Sequence, residues 1–597
     1  MNVNRTAGQW KRLLMRAGSA AGAALLVSCA APHAKPPGAD ASSTTAASAV
    51  PTTASVGAAR CEQLTSTMRT WPDPGTHIER VVWHDAGATL DGPTGSVLLP
   101  AHCEVIAVMH ERMGEAGQAY AIRFKMRLPE SWNLRFFFQG GGGTDGEIGD
   151  ALGTTVPGAP TALARGFAVV SQDAGHDNAR NTDPDRGGPV AFGFDPQARA
   201  DYGGASLKPV ADAAKALIGA YYGQGPERSY FFGCSKGGQE GMVFAQRHPD
   251  VFDGIVAGAP GFSLPRAAVA EAWDTQAFAS LIDDGKRPAP DQFAQLPATF
   301  SNAQFARVRS AVLAACDADD GAVDGITADW SACDAPRVHA KLQEQVCTDS
   351  PDCLSPAQVS VIERVYSGAK DSTGKALYAS WPFDGGIGSG GWRAWKIGPA
   401  SGNFPGINVA MGGPALAAIF TTPPTSVSAQ LPSAFEFALD FDFDRDAPKL
   451  YAVNASFTRS AWDDNSSRSP DMAGFRAHGA KMIVPQGVSD PVFSVNDTAA
   501  WYREVDRLND GKASEFVRLF PVPGMAHCAG GPATDRFNAF DALVAWVEQG
   551  TPPDRIVATA GPMSPWPGRT RPLCPYPKVA RYGGEGSLED AASFRCE

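Results

Sequence analysis

The 597-residue sequence predicts an α/β protein, in which short buried strands alternate with helices. Ser229–Phe232 is an apolar run of strand length, and Gly237–Arg247 follows it with the apolar spacing of a helix that ends before Pro249. Two further apolar runs, Lys481–Pro485 and Phe516–Pro521, have the length of buried strands, and each leads into a loop that contains Gly and Pro. This alternation favours a sheet covered by helices.

Composition and charge narrow the functional classes. The chain is 44% hydrophobic and 19% charged, as expected for a globular protein, and its length alone suggests about four domains. Its net charge is −12, and Lys and Arg form no basic stripe. Because phosphate neutralisation needs clustered positive charge, no nucleic-acid partner is expected.

The N-terminus has the layout of an export signal. Residues 1–28 carry four basic and no acidic residues, followed by a short apolar run that ends at Cys29. The run Leu26–Cys29 resembles a bacterial lipobox, so Cys29 is the predicted lipidation site; the alternative is an ordinary signal peptide cleaved slightly further on. Residues 29–58 are rich in Ala, Ser, Thr and Pro, which predicts a disordered tether. The predicted location is therefore the outer membrane of a bacterium, through a lipid anchor, or else the periplasm or the medium.

The segment between the predicted strand Ser229–Phe232 and its helix carries a nucleophile motif. Gly233–Gly237 reads Gly-Cys-Ser-Lys-Gly, a G-x-S-x-G pattern in the strand-turn-helix context that this motif requires. Such a turn presents the hydroxyl of Ser235 above the sheet, and the backbone N–H of Lys236 is then available to an oxyanion. The motif predicts an α/β-hydrolase core with Ser235 as the catalytic nucleophile.

A serine nucleophile needs a histidine base and an acid, which follow it in that fold in the order Ser, acid, His. His527 lies on a Gly/Pro loop after the predicted strand Phe516–Pro521, whereas His339 has no strand before it and His478 is more simply explained as a helix end. Asp490 follows the strand Lys481–Pro485 and is the predicted acid; the alternative is a turn residue before Pro491.

The second oxyanion donor is expected on an earlier loop. The aromatic run that begins at Leu134 leads into the four glycines Gly140–Gly143. Glycine allows a backbone N–H to approach a developing oxyanion closely, so Gly143 is predicted to act together with Lys236. The alternative is a flexible turn with no catalytic role.

Apart from Cys29, ten cysteines remain, an even number that favours disulfides in an exported chain. Their pairing cannot be deduced from the count. Proximity in sequence suggests Cys316 with Cys333 and Cys347 with Cys353. Cys234 precedes Ser235 and Cys528 follows His527, so contact between nucleophile and base would bring these two thiols within bridging range.

Several long motifs resemble the tannase/feruloyl esterase family. They are Gly233–Gly238, Asp253–Gly261, Ala191–Arg199, Pro523–Cys528 and Arg571–Pro577, and the resemblance extends from Cys61 to Cys596. It implies that residues 59–262 and 474–597 form the α/β-hydrolase core and that residues 263–473 form an inserted lid domain.

The resemblance also implies a structural Ca²⁺ site in the lid and no organic cofactor. The expected ligands are the carboxylates of Asp317, Asp320 and Asp324 and the backbone carbonyls of Ala322 and Ile326. Oxygen ligands of this kind suit Ca²⁺, although the spacing is not that of an EF-hand, and a solvated acidic loop is the alternative. The implied disulfides are Cys61–Cys103, Cys234–Cys528, Cys316–Cys333, Cys347–Cys353 and Cys574–Cys596.

The implied activity is that of a serine carboxylesterase acting on small esters of aromatic acids. Trp395 and Phe493 match aromatic substrate-binding positions of the members that hydrolyse terephthalate monoesters, and Met411 falls near a third, which is Phe in those members. Those members also hold the free carboxylate with an arginine, whereas residues 403–420 here contain no Arg or Lys. Terephthalate monoesters are thus one expected substrate class, and plant phenolic esters are the alternative. A remote alternative to an esterase is an inactive binding protein with a hydrolase fold.

Overall fold

The computed structural model describes residues 55–92, 95–283, 286–402 and 404–597. The predicted leader 1–28, the lipidation site Cys29 and most of the tether 29–58 lie outside the described residues. The predicted start of the core at residue 59 falls inside the first helix, which begins at Val56. The helix begins there because the Ser55 side chain accepts a hydrogen bond from the N–H of Ala58 and caps it.

The centre of the molecule is a nine-stranded mixed sheet in the order β1-β4-β5-β7-β6-β8-β9-β10-β11. Its strands are β1 His77–His84, β4 His102–Met113, β5 Ala119–Pro129, β6 Arg135–Gln139, β7 Ala168–Gln172, β8 Arg228–Cys234, β9 Gly254–Gly258, β10 Lys481–Gly487 and β11 Val517–Val522. The pairs β1/β4, β4/β5 and β5/β7 are antiparallel, and all pairs from β7 to β11 are parallel. Three two-stranded sheets complete the strands: β2 Thr89–Gly92 with β3 Gly95–Leu98, β12 Ile556–Thr559 with β13 Thr570–Leu573, and β14 Ala580–Tyr582 with β15 Phe594–Cys596.

Helices surround this sheet and fill the long connection between β9 and β10. They are α1 Val56–Thr67, α2 Pro196–Ala200, α3 Leu207–Tyr222, α4 Lys236–Arg247, α5 Leu264–Ala279, α6 Asn302–Cys316, α7 Ala335–Gln343, α8 Pro356–Tyr366, α9 Gly390–Lys396, α10 Gly413–Ala418, α11 Leu431–Asp440, α12 Ala461–Asn465, α13 Ala473–His478, α14 Val495–Leu508 and α15 Ala539–Gln549. No described helix is long and apolar enough to cross a membrane.

The predicted strands and the predicted helix are present with slightly different bounds. The predicted run Ser229–Phe232 is the centre of β8, and its apolar side chains are buried because β8 lies between two parallel neighbours. The predicted runs at Lys481 and Phe516 are β10 and β11, which pair in register from Met482 opposite Val517. The predicted nucleophile, acid and base therefore follow the carboxyl ends of three parallel strands, and these ends lie on the same side of the sheet.

The segment 263–473, predicted as a lid, contains helices α5 to α12. Most of its buried apolar side chains form one cluster of their own, which Phe192 and Phe493 from outside the segment also join. A second large cluster packs helices such as α3 and α14 on the sheet. The lid segment thus has its own core, and that core touches the loop after β10.

Candidate active site

Ser235 sits at the sharp turn between β8 and α4. Its backbone has φ +66° and ψ −121°, a conformation that costs energy for any residue other than glycine. The turn needs small neighbours: a Cβ built on Gly233 would lie 2.5 Å from the backbone of Gly237. The strained elbow that the sequence predicts is therefore present, and both motif glycines are required by close backbone contact.

His527 and Asp490 are hydrogen-bonded. His527 Nδ1 lies 2.9 Å from Asp490 Oδ2, and Asp490 is 1% exposed. The carboxylate is fixed by the N–H groups of Val492 and Phe493, which donate to Oδ1 over 2.8 and 3.1 Å, and by Gln486 Nε2, which donates to Oδ2 over 3.1 Å. An ionised acceptor at Nδ1 assigns the proton to that nitrogen, which leaves a lone pair on Nε2.

His527 Nε2 is the atom that would act as the base. It is buried and has no hydrogen-bond partner among the described residues. In uncomplexed enzymes, catalytic hydrogen bonds are often longer than in the complex with substrate. An unpaired Nε2 on a histidine whose other nitrogen is fixed by a carboxylate is suited to accept a proton from Ser235.

A disulfide joins the two loops that carry the nucleophile and the base. Cys234 and Cys528 are bonded, with their Cα atoms 6.1 Å apart and a sequence separation of 294. Because each cysteine is the direct neighbour of Ser235 or His527, the bridge restrains the distance between these two residues. The other four disulfides implied by the family resemblance are also present: Cys61–Cys103, Cys316–Cys333, Cys347–Cys353 and Cys574–Cys596.

The glycine loop after β6 lies against the nucleophile elbow. A Cβ on Gly140 would come within 2.9 Å of the Gly237 Cα, so the two loops are in backbone contact. Gly143 has φ +60° and open space around it, and its carbonyl accepts a hydrogen bond of 3.2 Å from Tyr202 Oη. The N–H of Lys236 opens helix α4 and has no acceptor within that helix. Both predicted donors thus belong to loops that touch each other.

A buried network under the elbow was not predicted from the sequence. The Lys236 side chain is 1% exposed, and its Nζ lies 3.3 Å from Glu240 Oε1. Glu240 Oε2 accepts a hydrogen bond of 2.9 Å from the N–H of Gly141. Burial raises the pKa of neighbouring Asp145 well above its ordinary value, despite the charge of Lys236. The network links helix α4 to the glycine loop.

Two of the three predicted substrate-binding residues border the base. The rings of Trp395 and Phe493 each lie 5.4 Å from the His527 ring, both edge-on. Met411 lies half-buried in the π-helical turn Asn408–Gly412, which packs on α5 in the lid segment. Two aromatic rings packed on the base are the kind of surface against which a flat aryl group stacks.

Asp384, in the lid segment, is a further residue that sequence reasoning missed. It is fully buried, and its Oδ2 accepts hydrogen bonds from Ser489 Oγ over 2.6 Å and from the N–H of Gly524 over 2.7 Å. Ser489 precedes Asp490, and Gly524 belongs to the His527 loop. No local pattern marks Asp384, because its partners lie 105 and 140 residues away.

The predicted Ca²⁺ loop follows α6. Asp317 and Asp320 are 6% and 3% exposed, and burial raises the pKa of Asp320 to about 7. Asp317 accepts from the N–H of Gly325, and Asp324 accepts from the guanidinium of Arg571. Carboxylate and carbonyl oxygens are the ligands that Ca²⁺ prefers, so the residue types fit the ion in their chemistry.

Two other groups of possible metal ligands lie close together among the described residues. One contains His84, His102 and Glu104, and the other contains Cys347, Asp349 and Cys353. In the first, Arg127 Nη1 lies 2.7 Å from His102 Nε2, so that nitrogen is already used. In the second, the two cysteines form a disulfide. Neither group supports a metal site.

The alternative histidines take structural positions. His339 lies in α7 and contacts the carboxylate of Glu363, and His478 ends helix α13 at the surface. Neither lies in a loop after a strand of the large sheet. Of the three histidines considered from the sequence, His527 is the one that pairs with Asp490.

The chain is similar to known ester hydrolases. A model of the family described as "Tannase and feruloyl esterase" matches residues 103–597. Mono(2-hydroxyethyl) terephthalate hydrolase of Piscinibacter sakaiensis is 41% identical over 558 residues, which cover 88% of this chain and 89% of that protein. An esterase of Xanthomonas campestris is 32% identical over 91% of this chain and 92% of its own length.

Solved structures show the same fold. Feruloyl esterase B from Aspergillus oryzae superposes with a TM-score of 0.68 at 23% identity, covering 90% of this chain and 99% of that one. Tannin acyl hydrolase from Aspergillus niger gives 0.64 at 20% identity, covering 90% and 95%. The fold and the relatives together define a carboxylic ester hydrolase of the α/β-hydrolase fold. Within that class, the chain belongs to the tannase and feruloyl esterase family.

Proposed function

We propose that the protein hydrolyses esters of aromatic carboxylic acids through an acyl-enzyme on Ser235. The observation that carries the proposal is the fixed Asp490–His527 pair, held beside the strained Ser235 elbow by the Cys234–Cys528 bridge. A serine hydroxyl is a weak nucleophile until an adjacent base takes its proton, and the elbow and the oriented histidine together supply what that activation needs.

In the proposed mechanism, His527 Nε2 accepts the hydroxyl proton of Ser235 as Oγ bonds to the ester carbonyl carbon. The N–H groups of Gly143 and Lys236 stabilise the resulting oxyanion. The C–O bond to the alcohol then breaks, and His527 returns the proton to the departing alcohol. Water, deprotonated by the same histidine, then attacks the acyl carbonyl carbon. The bond to Ser235 Oγ breaks, His527 returns the proton to Oγ, and the aromatic acid is released. Asp490 orients the ring and stabilises its protonated form throughout.

Two acyl groups are candidates. Likeness to mono(2-hydroxyethyl) terephthalate hydrolase favours a terephthalate monoester, which would give terephthalate and ethylene glycol. The absence of Arg and Lys from residues 403–420 favours a neutral phenolic acyl group, as in feruloyl or tannin esters. A panel of methyl ferulate, methyl gallate and the terephthalate monoester, measured as kcat/KM with purified protein, separates them. Failure to cleave any aryl ester would contradict the proposed activity and favour a binding role.

We also propose a structural Ca²⁺ at the loop of Asp317, Asp320 and Asp324, with the carbonyls of Ala322 and Ile326. The loop is joined to the C-terminal segment through Arg571, so an ion there would stabilise the contact between the lid segment and the chain's end. We expect a chelator to lower Tm by about 5 °C and added Ca²⁺ to restore it, because a ligand that binds only the folded state stabilises it.

The control for the Ca²⁺ prediction is a pair of matched substitutions. Asp320→Asn should lower Tm and abolish the response to chelator, whereas Asp352→Asn, at an exposed position of the same segment, should leave both unchanged. A wild-type Tm that does not respond to chelator, measured by differential scanning calorimetry at pH 7, would contradict the site.

Export and lipidation remain proposals on residues outside the described range. The basic and apolar character of residues 1–28 and the Leu-Val-Ser-Cys sequence before the tether support cleavage before Cys29 and lipid attachment there. Mass spectrometry of the mature N-terminal peptide tests this. A cleavage site after Cys29 would contradict lipidation and leave an ordinary exported enzyme.

A further inference from the structure

Glu271 is a buried acid of the lid segment to which the mechanism gives no role. It lies in α5 and is 7% exposed, and no hydrogen bond or ion pair joins its carboxylate to another described residue. A Cβ built on Gly412 would lie 1.9 Å from Glu271 Oε2, so the carboxylate rests against that glycine. Buried carboxylates are normally paired or hydrogen-bonded, so an unpaired one needs an explanation.

The turn against which Glu271 rests carries a second unsatisfied group. Asn408 begins the π-helical turn Asn408–Gly412, which packs on α5. Its side chain is 1% exposed, and neither amide atom has a hydrogen-bond partner among the described residues. Two unsatisfied polar side chains on packed elements are a feature of a binding site more than of a finished core.

Neighbouring residues place Glu271 beside the active site. On one side it is close enough to interact electrostatically with Tyr202, whose hydroxyl donates to the carbonyl of Gly143 over 3.2 Å. On the other side it interacts with Lys396, the neighbour of Trp395, whose ring lies 5.4 Å from that of His527. Helix α5, which carries Glu271, also packs on helix α9 and pairs with its Lys396 through Asp274, so Glu271 lies on the helix that borders Trp395.

The charge balance around Glu271 selects the kind of group that fits. Lys396 is 1% exposed and forms an ion pair with buried Asp274, so its positive charge is already matched. Burial raises the pKa of Glu271 to about 8, and nearby Asp274 acts in the same direction. A hydroxyl donor would satisfy a carboxyl oxygen of this group, whereas a substrate carboxylate would be a buried anion beside a lysine, Lys396, that is already paired.

We propose that Glu271 determines acyl specificity by accepting a hydrogen bond from a phenolic hydroxyl of the aromatic acyl group. This inference rests on the proposed esterase function. The amide of Asn408, in the turn that packs on α5, is a second hydrogen-bonding group without a partner among the described residues. The preferred substrates are then hydroxylated aryl esters, and terephthalate monoesters are poor ones.

The test compares matched substrates on wild type and on Glu271 variants. For wild type, we expect kcat/KM to be about tenfold higher for methyl 4-hydroxycinnamate than for methyl 4-methoxycinnamate. We also expect kcat/KM to be about tenfold higher for dimethyl terephthalate than for its monoester. Glu271→Leu should reduce the hydroxyl preference to near one. Glu271→Gln, which conserves shape and a carbonyl acceptor, should keep the hydroxyl preference of wild type.

Glu363→Gln is the matched control, since it makes the same change on lid helix α8 away from the site, and it should leave every ratio unchanged. If Glu271→Leu keeps the wild-type hydroxyl preference, or if wild type cleaves the monoester as well as the diester, the assignment is wrong. If wild type cleaves no aryl ester while folded, the proposed function itself fails, and the two failures are thereby distinguished. The Tm of each variant shows whether a loss of the hydroxyl preference is accompanied by a loss of folded structure.

Discussion

Ser235→Ala is expected to lower kcat for any aryl ester by about 10⁶-fold while the substrate still binds. The size of the effect follows from the chemistry, because without Oγ there is no atom to form the acyl-enzyme, and the remaining donors of the oxyanion site give only residual catalysis. Stability should change little, since alanine has the same Cβ in the same strained backbone. Hydrolysis of a chromogenic aryl ester measures the activity, and calorimetry measures Tm.

The matched control for this substitution is Ser229→Ala. Ser229 lies at the other end of the same strand, β8, and is 5% exposed, so the substitution repeats the chemical change without touching the elbow. It should leave kcat within about twofold. Ser235→Ala with wild-type turnover would remove the nucleophile assignment. Loss of activity accompanied by a large fall in Tm would show a folding defect instead.

Removal of the Cys234–Cys528 bridge has the second largest expected effect. The double variant Cys234→Ala/Cys528→Ala should lose about 10²-fold in kcat with KM little changed, because a displacement of about 1 Å between nucleophile and base is enough for such a loss. KM should change little, because Phe493, whose ring borders the site, is held by backbone hydrogen bonds with Asp490 and Gln486 that do not involve the bridge. Steady-state kinetics well below the Tm of the variant separates this from unfolding.

The terminal bridge provides the comparison. Cys574→Ala/Cys596→Ala removes a disulfide from the C-terminal strands and should lower Tm, as removal of a native disulfide does in general, while kcat of the folded fraction stays within about twofold. Equal losses of kcat in the two double variants would mean that the Cys234–Cys528 bridge only stabilises the fold and does not position the catalytic pair.

The sequence predicts the part of the molecule where a local pattern reflects a strong physical constraint. The elbow at Ser235 needs small residues at fixed offsets, and the strands β8, β10 and β11 are apolar because helices cover both faces of this part of the sheet. Asp490 and His527 could be assigned because each follows such a strand. Their hydrogen bond is then a consequence of the sheet order.

The residues that were missed depend on contacts distant in sequence. Asp384 and Glu271 both lie in the lid segment. Asp384 reaches the loops of the acid and the base, and Glu271 reaches a glycine of the turn Asn408–Gly412, but nothing in their flanking residues indicates either contact. The buried partner of Lys236, Glu240, lies on the same helix at i+4, so that pair could have been proposed from spacing alone. Its burial could not, because it depends on the glycine loop that covers it.

Domain organisation shows the same limit. Length suggests about four domains, yet the nine strands of the main sheet are drawn from His77 to Val522, with one long helical connection between β9 and β10. An insertion of this kind leaves no mark in composition, because its helices are as apolar as those of the core. The inserted segment was predicted from the resemblance to a family and not from the pattern of residues.

The most direct test of a serine acyl-enzyme mechanism is mass spectrometry of the purified protein after reaction with a fluorophosphonate probe. The account predicts one adduct per chain, located on the peptide that contains Ser235, and its loss in Ser235→Ala. Asp490→Asn should slow labelling strongly while leaving the site of modification the same, because His527 then loses its orienting carboxylate. A protein that is folded but unlabelled, or labelled on a different residue, would contradict the account.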